Sequence, residues 1–560
     1  MESLVCIHCH FYQPPRENPW LEAVEAQDSA SPDHDWNARI ARECYLANGA
    51  ARILDGQGRI AKIVNNYARI SFNFGPTLLA WLEEKRPEVY RAILEADAAS
   101  RQRFSGHGSA LAQGYNHIIM PLANRRDKQT QIRWGIADFE RRFGRRPEGM
   151  WLPETAVDPE TLDVLAAEGI AFTILAPHQV EQAPADGSAG RYRTSGGRSI
   201  ALFVYDGPIS HDVAFGSLLK DASAWAERLL APGKRGHERR LVAVATDGET
   251  YGHHHKFGEV ALAWVLRELE RRRDARVENF APFLARHRPE QEVKLVAPTS
   301  WSCAHGVERW RADCGCRMAP ERPTQQRWRA PLREALDWLA GELHARFEQE
   351  GGALFAGSWA ARDAYGTDRT ADGRARELLE MERNALRMFT SCGWFFDDIA
   401  GIETIQILRY AARAIELAGA DAPRLEAGVL ERLARAQSNE RAEGTGRDVY
   451  RNHVKRRVPV ESAARTDAHA ADSGDDAARA LLRAVLALEH DHSPRAIAAV
   501  TELADRAQRD GGHIPFDAQT AFYRIRAAAP PERAAQLASV AWRLGFADGE
   551  VEGKGKGGSH

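Results

Sequence analysis

EGMWLPETAVDPETLDVLAAEGIAFTIL, residues 148–175, carries the clearest structural pattern of the chain. Its first apolar run, 148–152, predicts a β-strand that ends at a proline. Asp158 followed by Pro159 is typical of a helix N-terminus, and the helix that they predict stops at a glycine. A second apolar run, 170–175, predicts the next strand. Strand, helix and strand in this order indicate a βαβ unit with parallel strands.

The same alternation of apolar runs and helical segments extends over the first 300 or so residues. Further strands are predicted at 4–8, 201–205 and 241–245. A helix predicted at about 257–272 follows the last of them, with Val260, Trp264 and Val265 facing inward. We therefore predict an α/β domain over residues 1–300.

The pattern changes after residue 300, where long amphipathic helices are predicted. They cover about 331–349, 374–389 and 399–417. We predict a helical domain over 301–430 and a third region, 431–560, made of a flexible connection and further helices.

Within that third region, 440–478 is polar and predicts a loose connection, helical pattern returns from 477 to about 544, and the Gly- and Lys-rich residues 553–558 should be disordered.

Bulk composition limits the classes of function. Of 560 residues, 44% are hydrophobic and 27% charged, which is typical of a globular protein. A formal net charge of −3 provides no polybasic surface, so nucleic acid is not expected as a partner. No apolar run reaches the roughly 18 residues that a membrane span requires. With no targeting segment and seven cysteines expected as reduced thiols, we predict a cytoplasmic protein.

Four clusters of polar side chains fall at or after predicted strands, the place where α/β barrels carry their sites. The first surrounds His8, His10 and Gln13. If the strand continues through His10, both histidines project from one face and could bind a sugar or a metal; they could also be structural. The second, 114–122, contains His117 and is weak evidence by itself.

The third and fourth clusters contain carboxylates. Glu154 follows Trp151 and a proline; it is either a solvated loop residue or a carboxylate fixed beside an aromatic ring. Asp247 ends a predicted strand and is followed by Glu249 and three histidines beginning at His253. A structural turn rarely concentrates so many titratable groups, so the fourth cluster favours function.

A separate group of cysteines follows residue 300. It contains Cys303, His305, Cys314 and Cys316, which could bind zinc near the domain junction. The spacing fits no standard zinc finger, so we favour buried thiols. Cys9 and Cys392 are expected as packing residues rather than nucleophiles.

Together and in this order, the four clusters resemble the conserved regions of glycoside hydrolase family 57. His8, His10 and Gln13-Pro14 look like its first region, and His117 matches the histidine of the second. Trp151 to Glu154 resembles the third region, whose glutamate is the nucleophile. Asp247 to His253 is similar to the fourth, whose leading aspartate is the general acid/base.

The resemblance implies an incomplete (β/α)7 barrel followed by a helical domain that helps to close the site, and then a mostly α C-terminal region. It also implies a retaining mechanism with two carboxyl groups. His10, His117 and His253 would hydrogen-bond the sugar, and Trp151 or Trp394 would stack on it.

A fifth region of the family is matched only in part. In 390–398, Trp394 aligns, but Gly393 stands where an acid is expected, which leaves Asp397 or Asp398 as possible substitutes. This departure leaves the choice of substrate and acceptor open. The surroundings resemble a subgroup labelled α-amylase/α-mannosidase, with an extra C-terminal region of unknown function.

We therefore expect a retaining glycoside hydrolase or transglycosylase that acts on α-glucans as an α-amylase, 4-α-glucanotransferase or branching enzyme, without a cofactor. One alternative is a metal-dependent α-mannosidase or polysaccharide deacetylase. Its zinc ligands would be His8, His10, Asp247 and His253. Another alternative is a non-catalytic carbohydrate-binding protein. The sugar, its linkage and the oligomeric state stay open.

Overall fold

Seven strands in the N-terminal part form the main series of parallel strands, and a short eighth, Ala275–Val277, runs parallel to the first of them. The computed structural model describes residues 3–234, 241–366, 369–455, 476–509 and 513–547. The seven strands are Ser3–Phe11 (β1), Ser71–Phe74 (β2), Ala110–Gln113 (β3), Met150–Trp151 (β4), Phe172–Leu175 (β5), Ser199–Val204 (β6) and Leu241–Asp247 (β7).

The strands pair in the order β7-β1-β2-β3-β4, and β5 pairs with β6. A parallel bridge from Gly149 to Phe172 connects the two groups. At the far side, the backbone N–H of Asp206 donates to the carbonyl oxygen of Ala243 in β7, at 2.7 Å. Because parallel strands have their carboxyl ends at one edge, side chains that follow them meet there. The register places His10 opposite Asp247.

Short strands complete the sheets and pack around them. They are Glu17–Asn18, Ala23–Val24, Ala51–Leu54, Ile60–Val64, Val180–Glu181, Gly190–Arg193, Ala275–Val277 and Lys294–Leu295. Helices of this N-terminal part are Trp36–Ile40, Leu46–Gly49, Pro76–Lys85, Pro87–Arg103, Arg125–Phe143, Pro159–Ala167, Gly207–Ala214, Ala222–Lys234, Gly258–Arg271 and Phe280–Arg286.

The remainder of the described chain is helical. Its middle helices are Arg329–Leu354, Ser358–Ala364, Gly373–Arg387, Cys392–Phe395, Ile402–Leu417, Ala422–Leu433 and Gly446–Val449. The C-terminal ones are Asp476–Ala487, Pro494–Arg509, Phe516–Ala528 and Pro531–Ala541. Among the described residues, no helix is both long and apolar enough to cross a membrane.

The predicted βαβ unit is confirmed, with shifted ends. Asp158 accepts a hydrogen bond from the backbone N–H of Thr161 and so caps the helix Pro159–Ala167. Gly169 follows with a φ of 82°, the left-handed conformation that a glycine adopts without a steric penalty. The helix predicted at 257–272 is also present. The prediction that Trp264 faces inward is wrong: it is exposed, because the helix buries the face carrying Val265.

Separate hydrophobic cores hold the parts together. Two buried clusters lie among the strands and the N-terminal helices, and a third joins the middle helices from Cys303 to Val454. A fourth packs the C-terminal helices, and Ile60 of the N-terminal part belongs to it. A parallel bridge between Ile60 and Phe546 strengthens that connection.

The loose connection predicted at 440–478 begins later than expected. Gly446–Val449 is helical and continues as a wider helical turn, Tyr450–Val454. Val449 and Tyr450 are fully buried in the core of the middle helices, which orders this polar stretch. The rest of the predicted connection, 456–475, and the predicted disordered end, 553–558, lie outside the described residues.

Candidate active site

The site begins at the carboxyl end of β1. This strand continues to Phe11, so His8 and His10 project from the same face, as the alternation predicts. His8 is buried and hydrogen-bonded on both ring nitrogens: Nδ1 lies 2.9 Å from Ser71 Oγ, and Nε2 lies 3.1 Å from Asn73 Oδ1. Both partners belong to β2. His8 therefore supports the site from beneath.

A chain of hydrogen bonds leads from β2 to the helical part. Asn73 donates to Nδ1 of His10 at 2.9 Å, so the proton of His10 lies on Nε2. That nitrogen lies 3.2 Å from Nε2 of His117, and Nδ1 of His117 lies 2.7 Å from Ser391 Oγ. Burial lowers the pKa of His10 to about 3 and that of His117 well below its ordinary value, so both rings are neutral.

Aromatic rings pack tightly around these histidines. Tyr12 stacks on His117 with ring centroids 3.6 Å apart, and Trp151 stacks on His10 at 5.0 Å. Trp151 is fully buried. The ring predicted as a sugar platform therefore packs against the histidines, and its complete burial leaves no open face for a sugar.

Glu154 follows β4 and is held through one oxygen. Trp301 Nε1 donates to Glu154 Oε2 at 3.0 Å, and Ser302 Oγ donates to the same oxygen at 2.5 Å. Burial raises the pKa of Glu154, while the Ser302 hydrogen bond, the charge of Arg309 and the Trp301 hydrogen bond oppose that rise.

The backbone at Glu154 adopts a conformation that L-residues rarely take. Its φ is 57° and its ψ 20°, and Thr155 has a φ of 49°. Such a residue costs about 1–3 kcal/mol and persists where its surroundings enforce it. The enforcing contacts are hydrogen bonds from the Trp301 backbone to the Glu154 carbonyl oxygen, at 3.0 Å, and from Thr155 Oγ1 to Gln179, at 2.8 Å.

Asp247, the last residue of β7, lies in a different environment. The residue is exposed by surface area, yet enough protein surrounds the carboxyl group to desolvate it. Burial raises the pKa of Asp247 well above its ordinary value, and the charges of Glu249 and Glu154 raise it further. The carboxyl groups of Glu154 and Asp247 are therefore electrostatically coupled, and the pKa of Asp247 is raised more strongly than that of Glu154.

Glu249, two residues after Asp247, is buried and its charge acts on Asp247. It accepts hydrogen bonds from the Tyr45 hydroxyl, at 2.5 Å, and from the Tyr12 backbone, at 3.0 Å. Burial raises the pKa of Glu249 to about 7 against these bonds. Gly248 allows this turn to approach β1, since a Cβ there would lie 2.2 Å from the ring of Phe11.

Gln13 and His253 lie at the periphery. The Gln13 amide donates to the Tyr12 carbonyl oxygen and accepts from Arg16, both at 3.0 Å. His253 Nδ1 lies 2.5 Å from Glu43 Oε2, so its ring is tied to the N-terminal helices rather than to Asp247. The structure brings His10, His117, Glu154 and Asp247 to one edge and leaves these two beside it.

The partly matched segment near Trp394 lies outside this cluster. Trp394 is buried in the core of the middle helices and offers no ring face to a sugar. A Cβ at Gly393 would lie 2.3 Å from Ile407 Cδ1, so an acid does not fit there.

Asp397 and Asp398 are also engaged elsewhere. Asp397 accepts from the backbones of Met318 and Ala319, and Asp398 accepts from Ser438 and the backbone of Asn439. Both bind loops of the helical part, so neither replaces the missing acid.

Sequence reasoning missed several side chains that contact this cluster. They are Trp301 and Ser302 at Glu154, Tyr205 near Asp247, Ser391 at His117, and Arg309. Arg309 donates to the carbonyl oxygens of Ser302 and Phe395, which connects the Glu154 loop to the helical part. In the sequence, the polar and aromatic run Thr-Ser-Trp-Ser at 299–302 was the one pattern that could have pointed to Trp301 and Ser302.

The proposed zinc ligands of the metal-dependent alternative do not converge. His8 is bonded to Ser71 and Asn73, and His253 to Glu43. Within the described residues, the side chains close enough together to share a metal ion are instead Cys303, His305, Cys314 and Cys316. The expectation that these are buried thiols is wrong for most of them: Cys303 is buried, Cys314 and Cys316 are half-buried, and His305 is exposed.

A family model described as Glycosyl hydrolase family 57 matches residues 23–296, which include both carboxylates. The matched residues make up just under half of the chain. A second model, a domain of unknown function (DUF3536), matches 325–372 and 366–473. Trp394 and the segment around it thus lie in a region outside the family 57 match, which agrees with the incomplete fifth region.

Relatives in the family match over short segments. Alpha-amylase 1 of Dictyoglomus thermophilum is 29% identical over 107 residues, 19% of this chain and 15% of that protein. A 4-alpha-glucanotransferase of Thermococcus litoralis is 22% identical over 190 residues, 33% of this chain and 27% of that protein. The chain thus aligns with less than a third of either relative.

Similarity of fold covers more of the chain than similarity of sequence does. The structure of an exo-type maltose-forming amylase from Pyrococcus sp. ST04 superposes with a TM-score of 0.57 and 14% identity. The superposition covers 97% of this chain and 92% of that one, so the similarity of fold includes the helical parts.

Proposed function

We propose that this chain is a member of glycoside hydrolase family 57 and acts on α-glucans as a retaining glycoside hydrolase or transglycosylase. The observation that carries the proposal is the pair of carboxyl groups at the carboxyl ends of β4 and β7, one held by hydrogen bonds and the other with a strongly raised pKa. A retaining mechanism needs two such groups about 5–5.5 Å apart, in different protonation states.

Glu154 has the features of a nucleophile. Trp301 and Ser302 both bind Oε2, which leaves Oε1 to attack the anomeric carbon. The attack breaks the glycosidic bond and forms a covalent glycosyl ester. The strained turn fixes the direction of the carboxylate, and such positioning lowers the barrier to attack.

Asp247 has the features of the acid/base. Of the two coupled groups it holds its proton more strongly, so it protonates the departing oxygen as the ester forms. It then removes a proton from water, which gives hydrolysis, or from a sugar hydroxyl, which gives transfer. The nearby Tyr205 hydroxyl, whose pKa burial and the Asp247 charge both raise, stays a proton donor.

The neutral histidines suit recognition of sugar hydroxyl groups. His10 and His117 are linked in a chain that fixes their tautomers, and neutral rings exchange hydrogen bonds with hydroxyls without burying a charge. Trp301, which is half-buried beside Glu154, takes the role of aromatic contact that the sequence suggested for Trp151 or Trp394.

The domain organisation follows the same proposal. The seven parallel strands would form an incomplete (β/α)7 barrel, with residues 1–300 as catalytic domain and 301–430 as the helical domain over its site. Ser391 and Cys392 support that arrangement, since they reach His117 and Tyr12 from the helical side. Residues 431–560 would form the third region. None of the seven cysteines, all of which lie within the described residues, forms a disulfide, which supports a place in the cytoplasm.

The substrate class is tested by product analysis. Purified protein is incubated with maltooligosaccharides, amylose, glycogen and α-mannosides, and products and their anomeric configuration are followed by chromatography and NMR. We expect new α-anomers from one of the glucans. Activity on the mannosides alone would refute the α-glucan assignment, and β-anomers as first products would refute retention.

A further inference from the structure

A second site lies where the α/β part meets the helical part. Cys303, His305, Cys314 and Cys316 each offer one ligand atom, and the four atoms lie within 4.8 Å of one another. The Sγ atoms of Cys303 and Cys316 are 3.8 Å apart, and Cys316 Sγ lies 3.6 Å from His305 Nδ1.

These distances match the edges of a tetrahedron around zinc. With Zn–S of about 2.3 Å and Zn–N of about 2.0–2.1 Å, tetrahedral geometry places two sulfurs roughly 3.8 Å apart and a sulfur and a nitrogen roughly 3.6 Å apart. A disulfide would need about 2.05 Å between sulfurs, far less than is observed. The arrangement is therefore that of metal ligands without a bond between them.

Packing alone does not explain the cluster. Free cysteines that pack as small hydrophobic residues are among the most buried side chains. Here two of the three cysteines are half-buried and the histidine is exposed.

A buried cation beside the cluster supports the same conclusion. Arg329 is fully buried and donates to the carbonyl oxygens of Cys316 and Phe396. Among the described residues Arg329 forms no ion pair with a carboxylate, and the opposite charges that act on it are those of Asp397, Cys314 and Cys316. A zinc ion with three thiolates and one imidazole has a net charge of −1 and adds to the counter-charge that Asp397 provides.

We propose that Cys303, His305, Cys314 and Cys316 form a structural zinc site. The four protein ligands fill the coordination sphere, so the ion has no open position for catalysis. Binding releases the thiol protons to solvent. The site ties 314–316 to the loop that continues directly from Trp301 and Ser302, the two residues that hold Glu154. Zinc thus stabilises the loop that positions the nucleophile.

The test measures metal directly in the full chain. Protein purified without chelator and dialysed against Zn²⁺ is analysed by elemental mass spectrometry, and a Co²⁺-substituted sample by absorption spectroscopy. We expect about one zinc per chain and, with cobalt, the thiolate charge-transfer and intense d–d bands of a tetrahedral site. The Cys314→Ser/Cys316→Ser variant should retain less than about 0.1 zinc per chain, whereas Cys6→Ser should retain all of it.

Three results would overturn the proposal. They are zinc-free wild type after dialysis, a cobalt complex without thiolate bands, and a disulfide between these cysteines in freshly purified protein. If the double variant does not fold, the wild-type cobalt spectrum still decides. None of these readouts uses glycosidase activity, so an error in the proposed function leaves the zinc result intact.

Discussion

The two turns that end β4 and β7 differ in how they present a carboxylate. The β4 turn holds Glu154 in a left-handed conformation and fixes one oxygen with donors from Trp301 and Ser302. The β7 turn leaves Asp247 in an ordinary extended conformation, with φ −58° and ψ 137°, two residues before a second acid, Glu249. One turn stabilises a carboxylate in a fixed direction, and the other favours a carboxylic acid.

The comparison shows that the protein environment determines which of two similar carboxyl groups is ionised and which is protonated. Hydrogen-bond donors favour the charged form, whereas burial and neighbouring acids favour the neutral form. Each prediction below changes one element of that difference.

The largest effect is expected from Glu154→Gln, which removes the nucleophile and keeps its shape. Hydrolysis of any glucan that the wild type cleaves should fall by at least about 10⁴-fold, because no covalent ester forms. The measurement is initial rate alongside the melting temperature. Glu84→Gln, at an exposed position near the end of the helix Pro76–Lys85, should keep full activity. Near-wild-type turnover by Glu154→Gln would disprove its role.

Asp247→Asn should lower activity by about 10²–10⁴-fold, because proton donation to the leaving oxygen is lost. The loss should be much smaller for an aryl glycoside whose phenol leaves without protonation. Comparing kcat/KM on both substrates checks this. Equal losses on both would show that Asp247 is not the acid.

Trp301→Phe together with Ser302→Ala should lower kcat by about 10- to 100-fold. Both lost hydrogen bonds hold the pKa of Glu154 down, so their removal raises that pKa and moves the acidic limb of the kcat/KM profile to higher pH. The pH profile is the measurement. Ser302→Thr keeps the hydroxyl and should keep the limb in place; an unshifted limb in the double variant would contradict the role of these donors.

Glu249→Gln should change stability in a pH-dependent way. The Glu249 pKa is about 7 in the folded protein against 4.5 ordinarily, so its ionisation opposes folding increasingly as pH rises from 4.5 to 7. Glutamine keeps an acceptor for Tyr45 and avoids that ionisation.

The variant should thus be more stable than wild type above pH 7, by on the order of 3 kcal/mol, and no more stable below pH 4.5. Urea unfolding at one pH on each side of this range measures the difference. A gain of the same size at both pH values would contradict the raised pKa.

Sequence alone predicted the parts of the site that depend on local order. Alternation along β1 placed His8 and His10 on one face, and strand ends placed Glu154 and Asp247 at one edge. It could not identify Trp301 and Ser302, because they reach Glu154 across 147 and 148 residues of chain and no local period marks such contacts.

Residue type also does not reveal exposure. Trp151 and Trp394 were expected to face a sugar and are buried, whereas Trp264 was expected to face the core and is exposed. Long-range packing decides which side of an aromatic ring is covered. The cysteine cluster also depends on the path of the chain. Residues 303–316 form a loop that folds back and brings the four side chains together, and their spacing in the sequence does not reveal this fold.

Trapping the covalent intermediate tests the central claim most directly. The protein is incubated with 5-fluoro-α-D-glucosyl fluoride, a slow substrate that accumulates the glycosyl ester of a retaining enzyme, and is then digested and mapped by mass spectrometry. We predict one added fluoroglucosyl group, on the peptide that contains Glu154 and at that residue. A label on Asp247 or Glu249, or turnover that yields β-products without any label, would contradict the assignment.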